Sequence, residues 1–140
     1  MDRNAKAVWT GGLKDGSGKL TTDSTVLNDT QYSFSTRFEN GTGTNPEELI
    51  AAAHAGCFAM AMSAELEKAG HKAERLEVTA KVTLHTDGGS PTITTSHLVL
   101  NAWVPGMSQE QFAEIAQTTK AACPVSRVLN AEISLDATLN

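Results

Sequence analysis

The residues RLEVTAKVTLHT, positions 75–86, alternate without a break: Leu76, Val78, Ala80, Val82 and Leu84 point one way and polar side chains the other. A period of two is the mark of a half-buried strand. The turn DGGSP follows, and TITTSHLVLNAWV then places Leu98, Leu100, Ala102 and Val104 on one face. Two such runs joined by a glycine-rich turn predict a hairpin. The first forty residues read as three shorter strands. AKAVWT leads into the turn GGLKDGSGK, and KLTTDSTV and TQYSFSTRF come next. In the last of these a period of two sets Tyr32, Phe34, Thr36 and Phe38 against Ser33, Ser35, Arg37 and Glu39.

The pattern changes at ENGTGTNPEEL, a loop running into a helix start. Asn45 is a good N-cap, Pro46 suits the first turn, and Glu47 and Glu48 suit the positive end of the dipole. The helix is expected to run to about Ala69, where Gly70 stops it. Its first two-thirds are apolar all round, so it must be enclosed on every side. One sheet covers one side, which leaves the rest to a second layer or a second subunit. PGMSQEQF opens another helix, with Ser108 and Gln111 as a capping box. Phe112, Ile115, Ala116 and Thr119 mark its inner face, and Cys123 falls on that face if the helix reaches it. Pro124 breaks it, PVSRVL forms a short further turn, and AEISLDATL closes as a strand with Ala131, Ile133, Leu135 and Ala137 inward. The order is three strands, a long helix, two strands, a helix or two, and a strand. That is an α+β fold with antiparallel sheet.

Composition narrows the function. A chain of 140 residues suits one domain, residues 1–140, and can bury about 68–70% of its unfolded surface. At 40% hydrophobic and 19% charged it shows no sign of disorder. A net charge of −5 makes nucleic acid and anionic membrane poor partners. The N-terminus lacks the apolar core of a signal peptide, and the longest apolar run, Leu49 to Met62, falls short of the roughly 20 residues a membrane span needs. Two cysteines do not make a disulfide scaffold, so a cytoplasmic protein is expected, its thiols reduced and any disulfide between them transient.

Those two cysteines are the candidate chemistry. Position alone leaves Cys57 divided between a small buried hydrophobe and a nucleophile, and Cys123 likewise. Each lies on an inward helical surface, and the chain has no third. A catalytic Cys57 needs a cation, because an ordinary thiol is only a few per cent thiolate at pH 7 and burial pushes its pKa up. Arg37, His54 and the lysines are the candidates. Arg37 is permanently charged, and Glu47 or Glu48 could hold it in a bidentate pair, although a surface arginine and plain helix-start carboxylates are the commoner fates. Glu47 and Cys57 are ten residues apart, about 15 Å along a straight helix, so the glutamate serves the thiol only through a bend, through Arg37's reach or across a dimer interface. His54 lies three residues before Cys57 on the same helical face, but no acid stands at a spacing that would orient it. It reads as a packing or hydrogen-bonding residue. His71, His85 and His97 are scattered, and no zinc, dinucleotide or phosphate-loop motif is present, so no metal or cofactor is expected.

Three stretches, TRFENGTGTNPEELIAAAHAGCFAMAMS, its continuation through AELEKAGH, and AACPVSRVLNAEISLDATL, resemble the OsmC branch of the OsmC/Ohr family of thiol peroxidases. The resemblance covers Ala7 to the end of the chain. It implies an intertwined homodimer in which antiparallel sheets wrap a long central helix, with active sites at the subunit interface. Cys57 would be the peroxidatic cysteine, Cys123 the resolving one, and Glu47 the residue that orients Arg37. In the Ohr branch the arginine lies near the first glycine-rich turn, where this chain has only Lys14. The implied reaction reduces organic hydroperoxides, and hydrogen peroxide with them, in defence against oxidative and osmotic stress. It passes through a Cys57 sulfenic acid and a Cys57–Cys123 disulfide, which a dithiol reductant of lipoyl type resets. Phe58 and Met60 would form the apolar substrate surroundings. A redox sensor or ligand-binding dimer without turnover, and a structural module with cysteines as core residues, are the rival readings.

Overall fold

The computed structural model describes residues Met1–Asn140, which divide into two compact units, residues 1–49 and 50–140. The first unit holds a sheet of three antiparallel strands in the order β1 (Ala5–Thr10), β2 (Ser17–Thr22) and β3 (Thr30–Tyr32). Gly18 is needed there: a Cβ would stand 2.2 Å from the Tyr32 ring that packs over it. The alternation after Tyr32 does not make a strand. Residues Phe34–Phe38 form a short helix, α1. The reason is local: Ser33 accepts from the Thr36 N–H while the Thr36 hydroxyl takes the Ser33 N–H, a reciprocal cap that outweighs a period-two pattern of aromatics. Arg37 therefore stands in the last turn of a helix and not on a strand face.

This unit has almost no interior. All six residues of β1 are exposed, as are Leu13, Val26 and Phe38, and every member of the apolar core lies beyond residue 49.

Helix α2 (Pro46–Lys68) begins in the first unit and continues through the second. Asn45 caps it as expected, its Oδ1 accepting from the Glu48 N–H at 2.8 Å, and Gly70 follows it in the left-handed region at φ +83°. By length and composition α2 could cross a bilayer, contrary to the expectation from the run of apolar residues alone. His54, Phe58, Met62 and Leu66, at spacings of four residues, are nonetheless fully buried against protein. The opposite stripe is uncovered: Ala52, Ala53, Gly56 and Met60 are exposed, Met60 to 78%.

The second unit carries a sheet ordered β4 (Arg75–His85), β5 (Thr92–Trp103) and β6 (Glu132–Leu139). The β4–β5 hairpin is antiparallel as the alternation predicts, and Leu98, Leu100, Ala102 and Val104 are buried. Strand β6 corrects the all-antiparallel expectation: it runs parallel to β5, from Thr95↔Glu132 to Ala102↔Leu139. The helices α3 (Gln109–Ala122) and α4 (Pro124–Val128) supply the crossover that a parallel pair requires. Ser108 caps α3 by accepting from the Gln111 N–H, one half of the expected box. Phe112 and Ala116 join α2 and β5 in one core cluster, and Cys123, between α3 and α4, belongs to it.

Candidate functional site

The candidate residues fall into two clusters. In the first unit, Arg37 and Glu47 meet as a fork: Nη2 donates to Oε1 at 2.8 Å and Nε to the same oxygen at 3.1 Å. Local anchors set this up. The Asn45 side chain that caps α2 also donates through Nδ2 to the Thr36 carbonyl at 3.0 Å, tying the end of α1 to the start of α2. Glu48 is diverted to the Thr44 hydroxyl at 2.7 Å, so only one of the two glutamates serves the arginine. The Glu47 side chain is 11% exposed and that of Arg37 37%. Glu47 thus fixes the guanidinium while Nη1 keeps an open face. The Phe38 ring lies under the guanidinium at 5.3 Å. Arg37 also borders a small cavity of about 80 Å³ walled by Trp9, Leu13, Tyr32, Phe34 and Phe38. The sequence showed these aromatics on strands; the α1 turn is what gathers them.

In the second unit, Cys57 of α2 and Cys123 are free thiols with their sulfurs 3.2 Å apart. Sixty-six residues separate them in sequence, so α3 docking on α2 through the faces predicted for it makes the pair. Cys123 is fully buried, whereas Cys57 retains some exposure. Burial pushes the Cys57 thiol above its ordinary range and the Cys123 sulfur pushes the same way, against the Val125 N–H. Burial opposes ionisation of Cys123 too. There the Ser126 N–H, the Cys57 thiol, the Ser126 hydroxyl and the Val125 N–H together outweigh it, and the Cys123 thiol lies below its ordinary range. Thiols this close titrate as a pair. The first ionisation of the pair is eased by the remaining thiol's proton; the second is opposed by like charge and by burial.

His54 completes this cluster. It is fully buried, with Nδ1 2.7 Å from Ser96 Oγ and Nε2 2.7 Å from Ser126 Oγ. Burial lowers its pKa, so the ring is neutral. The hydrogen-bonding reading of His54 is thereby met, with hydroxyls as partners. Both serines escaped the sequence reading, though each left a signal. Ser96 is the polar residue at an inward position of the series 96, 98, 100, 102, and Ser126 follows Cys123 by three residues in CPVS. Phe58 is a core residue with no exposed surface, and Met60 stands on the uncovered stripe of α2. Among the other histidines, His97 bridges β5 to β6 through Ser134 and Asp136.

Chemically, the two clusters supply an aimed cation beside an apolar cavity and a vicinal dithiol with one accessible sulfur. Comparisons with known proteins agree in sense. The family described as OsmC-like protein matches residues 39–138. Peroxiredoxin OsmC of Escherichia coli (strain K12) is 47% identical over 136 residues, 97% of this chain and 95% of that protein. An organic hydroperoxide resistance protein-like chain of Staphylococcus aureus is 32% identical and covers 72% of each. Among solved structures, the organic hydroperoxide resistance protein OhrB of Bacillus subtilis superposes with a TM-score of 0.74 at 27% identity, covering 96% of this chain and 98% of that one.

Proposed function

The chain belongs to the OsmC family, and from that premise we propose that it is a thiol-dependent peroxidase that reduces organic hydroperoxides at Cys57. The observation that carries this reading is the pair of free sulfurs 3.2 Å apart, one of them accessible. A Cys57 thiolate attacks the terminal peroxide oxygen; the O–O bond breaks, Cys57 becomes a sulfenic acid, and the departing alkoxide takes a proton from solvent to leave as an alcohol. Cys123 then attacks the Cys57 sulfur, the S–O bond breaks, water leaves and an intramolecular disulfide forms. An external dithiol, of lipoyl type in our reading, returns the two electrons by exchange. In this reading the cation that the partly buried Cys57 lacks comes from Arg37, which Glu47 aims. The apolar cavity beside Arg37 suits a small organic group on the peroxide.

Two further parts of the proposal concern assembly. The family match runs across residue 49, which supports one domain over residues 1–140. A first unit without a core and a helix with one apolar stripe exposed both call for a covering surface, and a second copy of the chain in an intertwined homodimer provides it. We expect light scattering to give twice 14.8 kDa; a mass of 14.8 kDa refutes the dimer. Two free thiols favour the cytoplasm.

The function itself is tested by incubating the purified chain with cumene hydroperoxide and a dithiol. Consumption of many equivalents is expected. A single stoichiometric oxidation supports the alternative, a redox sensor without turnover, and inert thiols sink both.

A further inference from the structure

His54 and Cys57 stand three residues apart on one face of α2. Both reach the same short stretch of chain. The Cys57 sulfur is 3.2 Å from that of Cys123, and His54 Nε2 is 2.7 Å from Ser126 Oγ. Cys123 and Ser126 are likewise three residues apart, within one turn that the Arg127 N–H closes on the Cys123 carbonyl at 3.0 Å. Two side chains one turn apart on α2 thus grip two points one turn apart at the start of α4. The other ring nitrogen, Nδ1, is 2.7 Å from Ser96 Oγ on β5, which fixes the imidazole against the sheet. His54 and Ser96 have no exposed surface.

Little else seats α4. Five residues are too few to hold a helical shape unaided. Pro124, Arg127 and Val128 are exposed, Val128 to 77%, and no side chain caps the first turn. Val125 packs on the core while only partly buried, and the one buried residue of the helix is Ser126. Its innermost contact is therefore a hydroxyl. A buried hydroxyl without a partner is costly, whereas one bonded to a fixed imidazole favours a single placement. Burial keeps the His54 ring neutral, so one nitrogen donates, the other accepts, and both serines are paired.

We propose that His54 is a positioning residue: pinned by Ser96, it latches α4 to α2 through Ser126 and so holds Cys123 against Cys57. The lever is the backbone. Ser126 and Cys123 share one closed turn, so a shift of α4 carries Cys123 with it. The place of the latch in a cycle rests on the peroxidase reading; its effect on the disulfide does not. In that cycle the Cys123 thiolate attacks the sulfenic Cys57, S–S forms, S–O breaks, and the departing hydroxide takes a proton to become water. A seated Cys123 reaches the sulfenic acid before a second peroxide does, which spares Cys57 from oxidation to the sulfinic acid. Latch and disulfide favour one placement of α4, so each stabilises the other.

The test needs no peroxide. The chain is equilibrated in glutathione buffers of graded ratio, free thiols are trapped, and the midpoint potential of the Cys57–Cys123 pair is read. There Cys57 attacks glutathione disulfide and releases one glutathione, and Cys123 displaces the other from Cys57 as the ring closes. Ser126→Ala and His54→Leu are each expected to make closure about tenfold less favourable, a rise of about 30 mV in midpoint potential. Combining them is expected to add nothing, because both sever the same latch. His54→Gln keeps an amide near the position of Nε2, able to donate or to accept, and is expected to restore the parent midpoint. If Ser126→Ala and His54→Leu leave the potential unmoved, the proposal fails. If their shifts add in the double variant, or His54→Gln shifts the potential as far as His54→Leu, the effect is lost packing and the positioning role fails. A chain that shows the expected shifts but consumes no hydroperoxide refutes the peroxidase reading alone. A chain that turns over peroxide while its variants leave the potential unmoved refutes the latch alone.

Discussion

Replacing Cys57 with serine is expected to reduce hydroperoxide consumption to the uncatalysed background. Two facts pull in different directions here. Burial opposes ionisation of Cys123, but the polar groups around it at the start of α4 and the Cys57 thiol draw its pKa below the ordinary range. Cys57 is raised by burial, so thiol acidity alone would nominate Cys123 as the nucleophile. Access decides otherwise: Cys123 has no exposed surface in the chain, and a peroxide oxygen has to reach the sulfur it oxidises. Serine at position 57 keeps the shape and removes the nucleophile, since an unassisted hydroxyl does not ionise near neutral pH. The companion variant sharpens the result. Cys123→Ser is expected to consume one equivalent and to leave a sulfenic acid on Cys57 that a dimedone-type trap labels. If the Cys57→Ser chain consumes one equivalent and the label falls on Cys123, the roles of the two cysteines are reversed.

How much of this was legible in the sequence depends on how local the cause is. The cap at Asn45, the stop at Gly70 and the β4–β5 hairpin are written in contiguous residues, and each lies where the pattern puts it. The error at 33–38 is of the same kind. Tyr32, Phe34, Thr36 and Phe38 alternate, but Ser33 and Thr36 also form a cap, and a short segment obeys whichever bonds its backbone groups first. The direction of β6 is not local at all. Its pattern is the same parallel or antiparallel, and the crossover through α3 and α4 settles it. The dithiol was half visible: helical faces placed both cysteines inward, while their 3.2 Å separation is a property of the packing of α3 on α2. Ser96 and Ser126 show the remaining gap. A hydroxyl on an inward face signals a buried partner without naming it, and here the partner is His54 on another element.

Arg37→Ala is expected to slow peroxide consumption at pH 7 and to move its pH profile toward higher pH. Burial raises the Cys57 thiol and the groups within its own cluster do not reverse that, so a thiolate at neutral pH needs a cation from outside the cluster. Arg37 is the fixed candidate, since Glu47 holds it through Nε and Nη2 and leaves Nη1 open. Removing a nearby opposite charge raises an acid's pKa by about 1–3 units. The loss of rate is smaller than the loss of thiolate, because a more basic thiolate is also more nucleophilic, with a Brønsted slope of about 0.5. Ionisation alone therefore accounts for a fall of about 3-fold to 30-fold at pH 7. That figure separates two jobs for the arginine. If Arg37 only ionises the thiol, the variant recovers fully once the pH exceeds its raised midpoint, and Arg37→Lys recovers most of the rate. If Arg37 also steadies the peroxide oxygens through Nη1, the fall exceeds 30-fold and a deficit persists at high pH, where every Cys57 is ionised. Glu47→Gln, which leaves the Arg37 charge in place but loosens its aim, then shows the same persistent deficit with a smaller shift in midpoint. An Arg37→Ala chain whose Cys57 titration and rate both match the parent removes the arginine from the mechanism, and the cation that Cys57 requires would have to be sought among the lysines.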